Sequence, residues 1–352
     1  MKKINKFLVL ALASTAFLSS CSNDDDATPD LPKGDYDTGY FVLNEGNANP
    51  ATASISFIGN DGTMEDDVYR TVNPTSPETG TYLQSMFFDD YNAYIISGNA
   101  DQITVVDRYT FEYKTTISTD FENPRYGAIA NGKAYVTNSA GWELGSADDF
   151  VTVINLSDYS TSTFAMENAE KVMEEDDMIY FANGYYGSGQ TITVLNPSTD
   201  ATTIIDLGDG NSPNSIVEED DNLYVLTTNF AGTPNIFEIS TASNTITNTI
   251  DLSGVVTSPR LLNIEDDIMY FTDATSVYKL DINGTTPSKV LEYTSTSLYG
   301  AMYSFTVEDD KIYITDGGDF ASGGTAYEYS LTGSLLNTYI VGVGPNGLYF
   351  ND

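Results

Sequence analysis

Short apolar runs alternate with polar, turn-forming clusters along almost the whole chain. The runs are rich in β-branched and aromatic residues, the clusters are rich in Gly, Asn, Asp, Ser and Thr, and no long stretch has helical periodicity. This pattern is typical of many short strands joined by tight turns. A tyrosine that opens an apolar run recurs at Tyr40, Tyr94, Tyr135, Tyr180, Tyr224, Tyr270 and Tyr313. Five of the six intervals are 41 to 46 residues long, and the 54-residue interval contains an insert at 74–80.

Each interval holds the same order of segments. A first strand and a polar hairpin precede the tyrosine strand, and a third strand and a Thr- and Ile-rich fourth strand follow it. The hairpins are Asp89-Asp90, Asn131-Gly132, Asp176-Asp177, Asp220-Asp221, Asp266-Asp267 and Asp309-Asp310. Four antiparallel strands in about 44 residues, repeated seven times, predict an all-β fold, a seven-bladed β-propeller of four-stranded antiparallel blades.

The two ends of the repeat predict how the ring closes. Tyr40 lies in a second strand that has no first strand before it, and residues 344–350 match the first-strand pattern at 123–129. We therefore expect the C-terminal strand to pair in the N-terminal blade, which removes the open sheet edges. Because the seven tyrosines share one position of the repeat, we expect them to pack between blades.

The N-terminus is typical of an exported lipoprotein. Lys2, Lys3 and Lys6 precede an eleven-residue apolar run at 7–17, which is too short to span a bilayer and suits a signal peptide. The run ends in Leu18-Ser19-Ser20-Cys21, which resembles the bacterial lipobox, and the chain has one cysteine. We predict a lipoprotein signal peptide at 1–20 and a palmitate-type lipid on Cys21. The alternative is an ordinary secretory signal.

A polar, Pro-containing stretch follows the cysteine and predicts a flexible acidic tether at 21–38, before a propeller at 39–352. Its run Asp24-Asp25-Asp26 resembles the export signal of surface lipoproteins of the Bacteroidota; the alternative is a solvated spacer. We expect a protein anchored by lipid to the outer membrane and facing the cell exterior, with the lipid as its only membrane contact.

Composition limits the chemistry that the chain can perform. Of its 14 Lys and Arg, three lie in the leader, so 11 remain against 51 Asp and Glu, a formal charge of −40. Such a surface repels nucleic acid and anionic lipid. With no histidine, the chain lacks a Ser-His-Asp triad and the commonest general base. We therefore expect no enzymatic activity, no cofactor and no metal site. We interpret the Asp pairs as solvated turns; the alternative is a ring that binds calcium or a basic partner.

Three segments carry a family resemblance: Tyr40-Phe-Val-Leu-Asn-Glu-Gly-Asn, the run at 124–138, and Gly344-Pro-Asn-Gly-Leu-Tyr-Phe. They resemble YncE-like propeller lipoproteins of the Bacteroidota over roughly residues 39–352. The resemblance implies a propeller at the cell surface, and some relatives bind cobalamin above a TonB-dependent transporter.

Long, uneven loops at one face of the predicted disc supply the candidate binding residues. Aromatic side chains on glycine-flanked loops offer flat apolar area with a polar tip, as ligand sites require. The predicted ligand-binding residues are Trp142, Tyr185, Tyr186, Phe230, Arg125, Arg260, Phe320, Tyr82, Glu45 and Asn47. The aromatic residues could instead pack their own loops. Arg125 and Arg260 each follow a proline at the same point of the repeat, and could either bind a ligand or form ion pairs.

These observations favour a surface protein that captures a small nutrient, a corrinoid or a similar bulky chelate, and passes it to a TonB-dependent outer-membrane transporter. The first alternative is an interaction scaffold of the cell envelope. The second is a metal-dependent propeller lyase or lactonase, because propellers host many functions.

Overall fold

The computed structural model describes residues 33–141, 147–185, 187–228 and 233–351, and the side chain of Tyr185 is not among the described parts. In these ranges 28 strands form seven four-stranded sheets, each antiparallel throughout, with one short helix. The predicted seven-bladed all-β propeller is confirmed. The same ranges contain no helix that is both long and apolar enough to cross a bilayer. Residues 1–32, with the predicted signal peptide, Cys21 and most of the tether, lie outside the description.

In each blade the strands follow one another from the axis of the ring outward. Blade 1 contains β28 (Pro345–Phe350), β1 (Gly39–Asn44), β2 (Ser54–Gly59) and β3 (Met64–Glu65). Blade 2 contains β4 (Leu83–Phe88), β5 (Asn92–Ser97), β6 (Gln102–Asp107) and β7 (Tyr113–Ile117). Blade 3 contains β8 (Pro124–Ala130), β9 (Lys133–Asn138), β10 (Phe150–Asn155) and β11 (Thr161–Ala165).

The remaining blades follow the same order. Blade 4 contains β12 (Ala169–Glu175), β13 (Met178–Tyr185), β14 (Ser188–Asn196) and β15 (Ala201–Asp206). Blade 5 contains β16 (Pro213–Glu219), β17 (Asn222–Thr227), β18 (Asn235–Ser240) and β19 (Thr245–Asp251). Blade 6 contains β20 (Pro259–Glu265), β21 (Ile268–Asp273), β22 (Ser276–Asp281) and β23 (Ser288–Glu292). Blade 7 contains β24 (Ser304–Glu308), β25 (Lys311–Asp316), β26 (Thr325–Ser330) and β27 (Leu335–Ile340).

Contacts between innermost strands close the ring. They run in order from β28 through β4, β8, β12, β16, β20 and β24 back to β28. The closing strand β28 pairs antiparallel with β1, with Phe41 opposite Tyr349, so the expected closure by the C-terminal strand is confirmed. Both edges of the ring are thereby paired, which leaves no long open strand at the junction.

The disc has two faces, which the turns define. On the hairpin face, turns join first to second and third to fourth strands. On the mouth face, loops join second to third strands and one blade to the next. The tight hairpins place aspartates at positive φ, as at Asp176 (φ 51°) and Asp177 (φ 60°). Two successive residues in this region form the turn that suits a two-residue hairpin, and Asp tolerates it better than branched residues do.

The core lies between adjacent blades. All seven repeated tyrosines are buried, each 5% exposed or less. Each packs with apolar residues of the neighbouring blade, and across the closing junction the rings of Tyr40 and Tyr313 meet at 5.1 Å. The predicted role of the tyrosines between blades is therefore confirmed.

Blade 1 departs from the repeat. Its fourth strand, β3, has two residues, where the repeat predicts a longer Thr- and Ile-rich strand. The helix α1 (Val68–Val72), which the sequence did not predict, follows it and packs against β2. Val68 and Tyr69 are buried, and the Tyr69 hydroxyl donates to the Pro77 carbonyl at 2.6 Å. This helix and the loop after it account for the 54-residue interval.

Residues 33–38 pack on the hairpin face before β1 begins. The Tyr36 amide donates to the Tyr109 carbonyl at 3.0 Å, and the Tyr36 ring contacts Phe57 and Phe111. The Asn351 side-chain amide donates to the Tyr36 carbonyl from the other end of the chain. The strand β1 then runs from the hairpin face to the mouth face.

Candidate functional site

The innermost strands are irregular where they begin, at the mouth face. The pairing register shifts near the start of β4, β8, β12, β16 and β20, and opposite the start of β28. A β-bulge removes a residue from the ladder and redirects its side chain. The residues displaced in blades 1 to 5 include Asn346, Gln84, Arg125, Glu170 and Asn214. Four of these side chains line cavities at the mouth.

The central cavity has a volume of about 650 Å³. Its wall includes Gln84, Arg125, Asn346, Arg260 and Tyr303, which come from five different blades. A volume of this size is within the range of small-molecule sites. The cavity therefore lies on the axis that the ring of innermost strands surrounds.

Arg125 is held by an ion pair. Its guanidinium donates from Nε and Nη2 to the two carboxylate oxygens of Glu170, at 3.0 and 2.7 Å, and from Nη1 to Gln84 at 2.5 Å. The arginine and glutamate side chains are 16% and 13% exposed. Of the two predicted roles, ligand binding or an ion pair, Arg125 forms the ion pair, and it is part of the cavity wall. Arg125 also lies inside β8 and Arg260 inside β20, whereas the sequence analysis expected both in connecting loops.

Arg260 is in a different state. It is exposed, and its recorded bond is a long one of 3.5 Å from Nη2 to the Met302 carbonyl. Among the described residues no carboxylate lies within ion-pair distance of it. Arg260 lines both the central cavity and a second cavity of about 500 Å³. Its donors are thus available to a molecule in either space.

Two asparagines hold the same position in blades 5 and 1. Asn214 Nδ2 donates to the Pro259 carbonyl at 3.0 Å, and Asn346 Nδ2 donates to the Leu83 carbonyl at 2.8 Å. The Oδ1 atoms of both are buried without a hydrogen-bond partner in the described structure. A buried acceptor without a partner is costly, and it is commonly satisfied by water or a ligand.

A group of four residues forms one side of the mouth. Tyr303 donates from its hydroxyl to Glu45, and its ring meets Phe320 edge-on at 5.1 Å. Asn47 Nδ2 donates to the Phe320 carbonyl at 2.7 Å. Burial raises the pKa of Glu45, while the hydrogen bond from Tyr303 and the charge of Arg125 oppose that rise. Asn47 and Phe320 therefore fix the loop that presents Glu45.

The remaining predicted residues fall in two groups. Tyr82 lines the central cavity, 38% exposed and with a positive φ of 53°. Trp142, Tyr186 and Phe230 lie outside the described residues, and only the backbone of Tyr185 lies within them. The predicted binding role of these four aromatic residues stays a prediction.

Five residues of the mouth were not predicted: Gln84, Glu170, Asn214, Tyr303 and Asn346. A usable signal existed for two of them. Asn214 and Asn346 each follow a proline, as Arg125 and Arg260 do. Gln84, Glu170 and Tyr303 follow no proline, so the same rule does not find them.

Among the residues that the structure describes, one group of carboxylates is close enough to hold a cation, and it lies on the hairpin face. Glu175, Asp176 and Asp221 bring oxygens within 4.8 Å of one another. Burial, with Glu218 and Asp176 nearby, raises the pKa of Glu175. Asp176 and Asp221 are exposed, and exposed acidic groups of this kind are common without a metal.

Comparison with known proteins places the chain in a family. Residues 38–330 match the family model described as "Domain of unknown function (DUF5074)". The chain belongs to the DUF5074 family. No curated protein matches the DUF5074 chain in sequence.

Solved structures share its fold at low identity. A quinoprotein alcohol dehydrogenase-like protein of Bacteroides thetaiotaomicron VPI-5482 superposes with a TM-score of 0.67 at 15% identity, covering 90% of this chain and 79% of that one. Hydrazine synthase of Kuenenia stuttgartiensis superposes with a TM-score of 0.60 at 13% identity, covering 77% of this chain and 91% of that one. BamB of Moraxella catarrhalis superposes with a TM-score of 0.51 at 14% identity, covering 77% of this chain and 81% of that one. At these identities the likeness shows the fold alone.

Proposed function

We propose that this DUF5074 protein is a non-enzymatic surface lipoprotein, anchored through Cys21, that binds a small nutrient at the mouth. It would deliver that nutrient to a TonB-dependent outer-membrane transporter. The observation that carries the proposal is that Arg260, whose guanidinium makes one long hydrogen bond of 3.5 Å, lines two adjoining cavities at the mouth. Asn214 and Asn346, whose Oδ1 atoms have no hydrogen-bond partner in the described structure, line one cavity each. The leader and the resemblance to YncE-like lipoproteins support the location.

The lining favours a ligand rich in uncharged polar groups. Asparagine Oδ1 atoms require donors, and the Arg260 guanidinium requires acceptors, so a primary amide or a hydroxyl group satisfies either. A corrinoid carries several primary amides around a flat macrocycle and fits this description. The two cavities, of about 650 and 500 Å³, share Arg260, so a bulky ligand could contact both.

Binding measurements on the purified propeller test the proposal. Residues 33–352 form one compact unit and are suitable for calorimetric titration with cyanocobalamin, haem, a ferric siderophore and oligosaccharides. We expect micromolar or tighter binding of one of these, and roughly a tenfold or greater loss in Arg260→Ala. Arg70→Ala, an arginine on the helix α1 and outside the mouth, is the matched control. Failure of every ligand to bind at micromolar concentration would contradict the proposal.

One observation favours the scaffold alternative. Leu298 and Tyr299 are 87% and 85% exposed on the loop between blades 6 and 7. Large apolar side chains this exposed often lie at protein contacts. A scaffold predicts that Leu298→Ser abolishes co-purification of an envelope protein, while Arg260→Ala leaves it intact.

A further inference from the structure

A third cavity lies on the hairpin face, where blade 7 meets blade 1. Its volume is about 570 Å³. Its wall includes the rings of Tyr40, Tyr313, Tyr339 and Phe350, together with the carboxylate of Glu328. The rings of Tyr40, Tyr313 and Phe350 pack within 5.3 Å of one another, which fixes that wall. This cavity shares no residue with the cavities at the mouth.

Glu328 is a buried acid without an ion-pair partner among the described residues. It is 4% exposed, its Oε1 accepts from the Tyr40 hydroxyl at 2.9 Å, and its Oε2 accepts from Asn337 Nδ2 at 2.8 Å. Lys311 lines the same cavity, but no described cation lies within ion-pair distance of Glu328. A buried carboxylate is costly unless an opposite charge neutralises it, and each oxygen can accept a further hydrogen bond.

The fold does not require an acid at this position. Glu328 lies opposite the repeated tyrosine of its blade, Tyr313. The equivalent residues in blades 2, 3 and 4 are Val105, Val153 and Val194. In blade 5 the equivalent is Glu238, which is only partly buried and accepts no hydrogen bond from Tyr270 of the next blade. Only in blade 7, among the described blades, does this position combine an acid with deep burial.

We propose that the cavity between blades 7 and 1 binds an organic ammonium group. The Glu328 carboxylate would neutralise the ammonium charge, and the faces of Tyr40, Tyr313, Tyr339 and Phe350 would contact it through cation–π attraction. An aromatic wall beside one carboxylate suits primary and quaternary amines and disfavours anions. The same chemistry could be offered by a free amine or by the lysine side chain of a peptide.

The local field agrees with this assignment. Burial, followed by the nearby charge of Glu328, raises the pKa values of Tyr40, Tyr313 and Tyr339. Asp309 and Asp61 lie at the rim and add negative charge. The three acids Glu328, Asp309 and Asp61 outnumber the one cation, Lys311, in the lining of the cavity, so the net charge around an entering cation is negative.

Titration with defined probes tests the proposal. Residues 33–352 are titrated by NMR or calorimetry with tetramethylammonium, n-butylamine and Nα-acetyl-lysine methylamide, and with neutral tert-butanol for comparison. We expect saturable millimolar or tighter binding of the cations and none of the neutral probe. Tighter binding of the lysine derivative than of n-butylamine would indicate a peptide as the source, and equal binding would indicate free amines. No saturable binding of any cation, or equal binding of tert-butanol, would overturn the proposal.

Variants assign the binding to this cavity. Glu328→Gln keeps the side-chain shape and should weaken cation binding by about tenfold or more. Glu238→Gln, at the same position of blade 5, is the matched control and should bind as the parent protein does. If Glu328→Gln does not fold, Tyr339→Ala tests the aromatic wall. Arg260→Ala should leave ammonium binding unchanged, which separates this site from the mouth. Unaltered binding in both Glu328→Gln and Tyr339→Ala would refute the assignment.

Discussion

Arg125 and Glu170 join blades 3 and 4 at the mouth through two parallel hydrogen bonds of 3.0 and 2.7 Å. The pair is largely buried, with side chains 16% and 13% exposed. Two charges so close to the axis would otherwise attract ions or charged ligands, and pairing makes them part of the wall. At the mouth, Arg125 is therefore occupied by its ion pair, whereas the guanidinium of Arg260 can still bind a ligand.

Breaking this pair should destabilise the propeller more than removing the available arginine. Glu170→Gln removes the carboxylate that accepts both parallel hydrogen bonds from the largely buried Arg125 guanidinium, so we expect a loss of about 2–3 kcal/mol of unfolding free energy. Arg260→Ala should change it by less than about 0.5 kcal/mol. Urea unfolding curves at neutral pH measure both. Equal changes in the free energy of unfolding for the two substitutions would contradict a stabilising role of the ion pair.

Removing the unsatisfied acceptor of Asn346 should separate stability from binding. Asn346→Ala loses the hydrogen bond to the Leu83 carbonyl but also removes a buried acceptor that has no partner, so the net change should stay within about 1 kcal/mol. Affinity for the mouth ligand should fall about tenfold. Thermal unfolding and calorimetric titration of the same sample check the two parts. Intact affinity would remove Asn346 from the site.

Asp149 should make stability depend on pH. It is 2% exposed, and burial, with Asp148 nearby, raises its pKa from 3.8 to about 6. Because the folded pKa lies above the unfolded value, the stability from its bound proton is fully present below about pH 4. That stability is lost as the pH rises through about 6.

Asp149→Asn should therefore raise unfolding free energy by about 1–2 kcal/mol at pH 7.5 and by almost nothing at pH 4. Urea denaturation at both pH values measures the difference. Asp90→Asn, which removes one exposed carboxylate, corrects for the change in net charge. A benefit of Asp149→Asn that is equal at both pH values would contradict the assigned pKa.

The last strand should be necessary for folding. Deletion of residues 345–352 removes β28 and exposes the edge of β1, along with the buried aromatic contacts of Phe350. We expect loss of cooperative thermal unfolding and aggregation of the soluble protein. Deletion of Asp352 alone is the control and should behave as the parent. A truncated chain that still melts in one sharp transition would contradict closure through β28.

The fold could be predicted because a buried tyrosine recurs once per blade, so local spacing reports global topology. The short helix at Val68–Val72 could not be predicted in this way, because it occurs in one blade and is not part of the repeated pattern. At the mouth, the prolines preceding Arg125 and Arg260 identified one shared position of the repeat, but both residues lie at the start of a strand and not in the loop before it. The partner of Arg125 was not predictable, since Glu170 lies 45 residues away and was one acid among 51. Likewise, Tyr40 and Glu328 meet across 288 residues, through ring closure alone.

The hydrogen bonds of Tyr36 with Tyr109 and Asn351 fix residues 33–38 on the hairpin face. The described chain begins at the hairpin face, where Lys33 Nζ donates to the Tyr109 hydroxyl at 3.0 Å, while the adjoining cavities around Arg260 open on the opposite side of the disc. A ligand bound around Arg260 would therefore leave the contacts of Tyr36 with Tyr109 and Asn351 undisturbed. A transporter, as proposed, could then approach the mouth face without displacing residues 33–38.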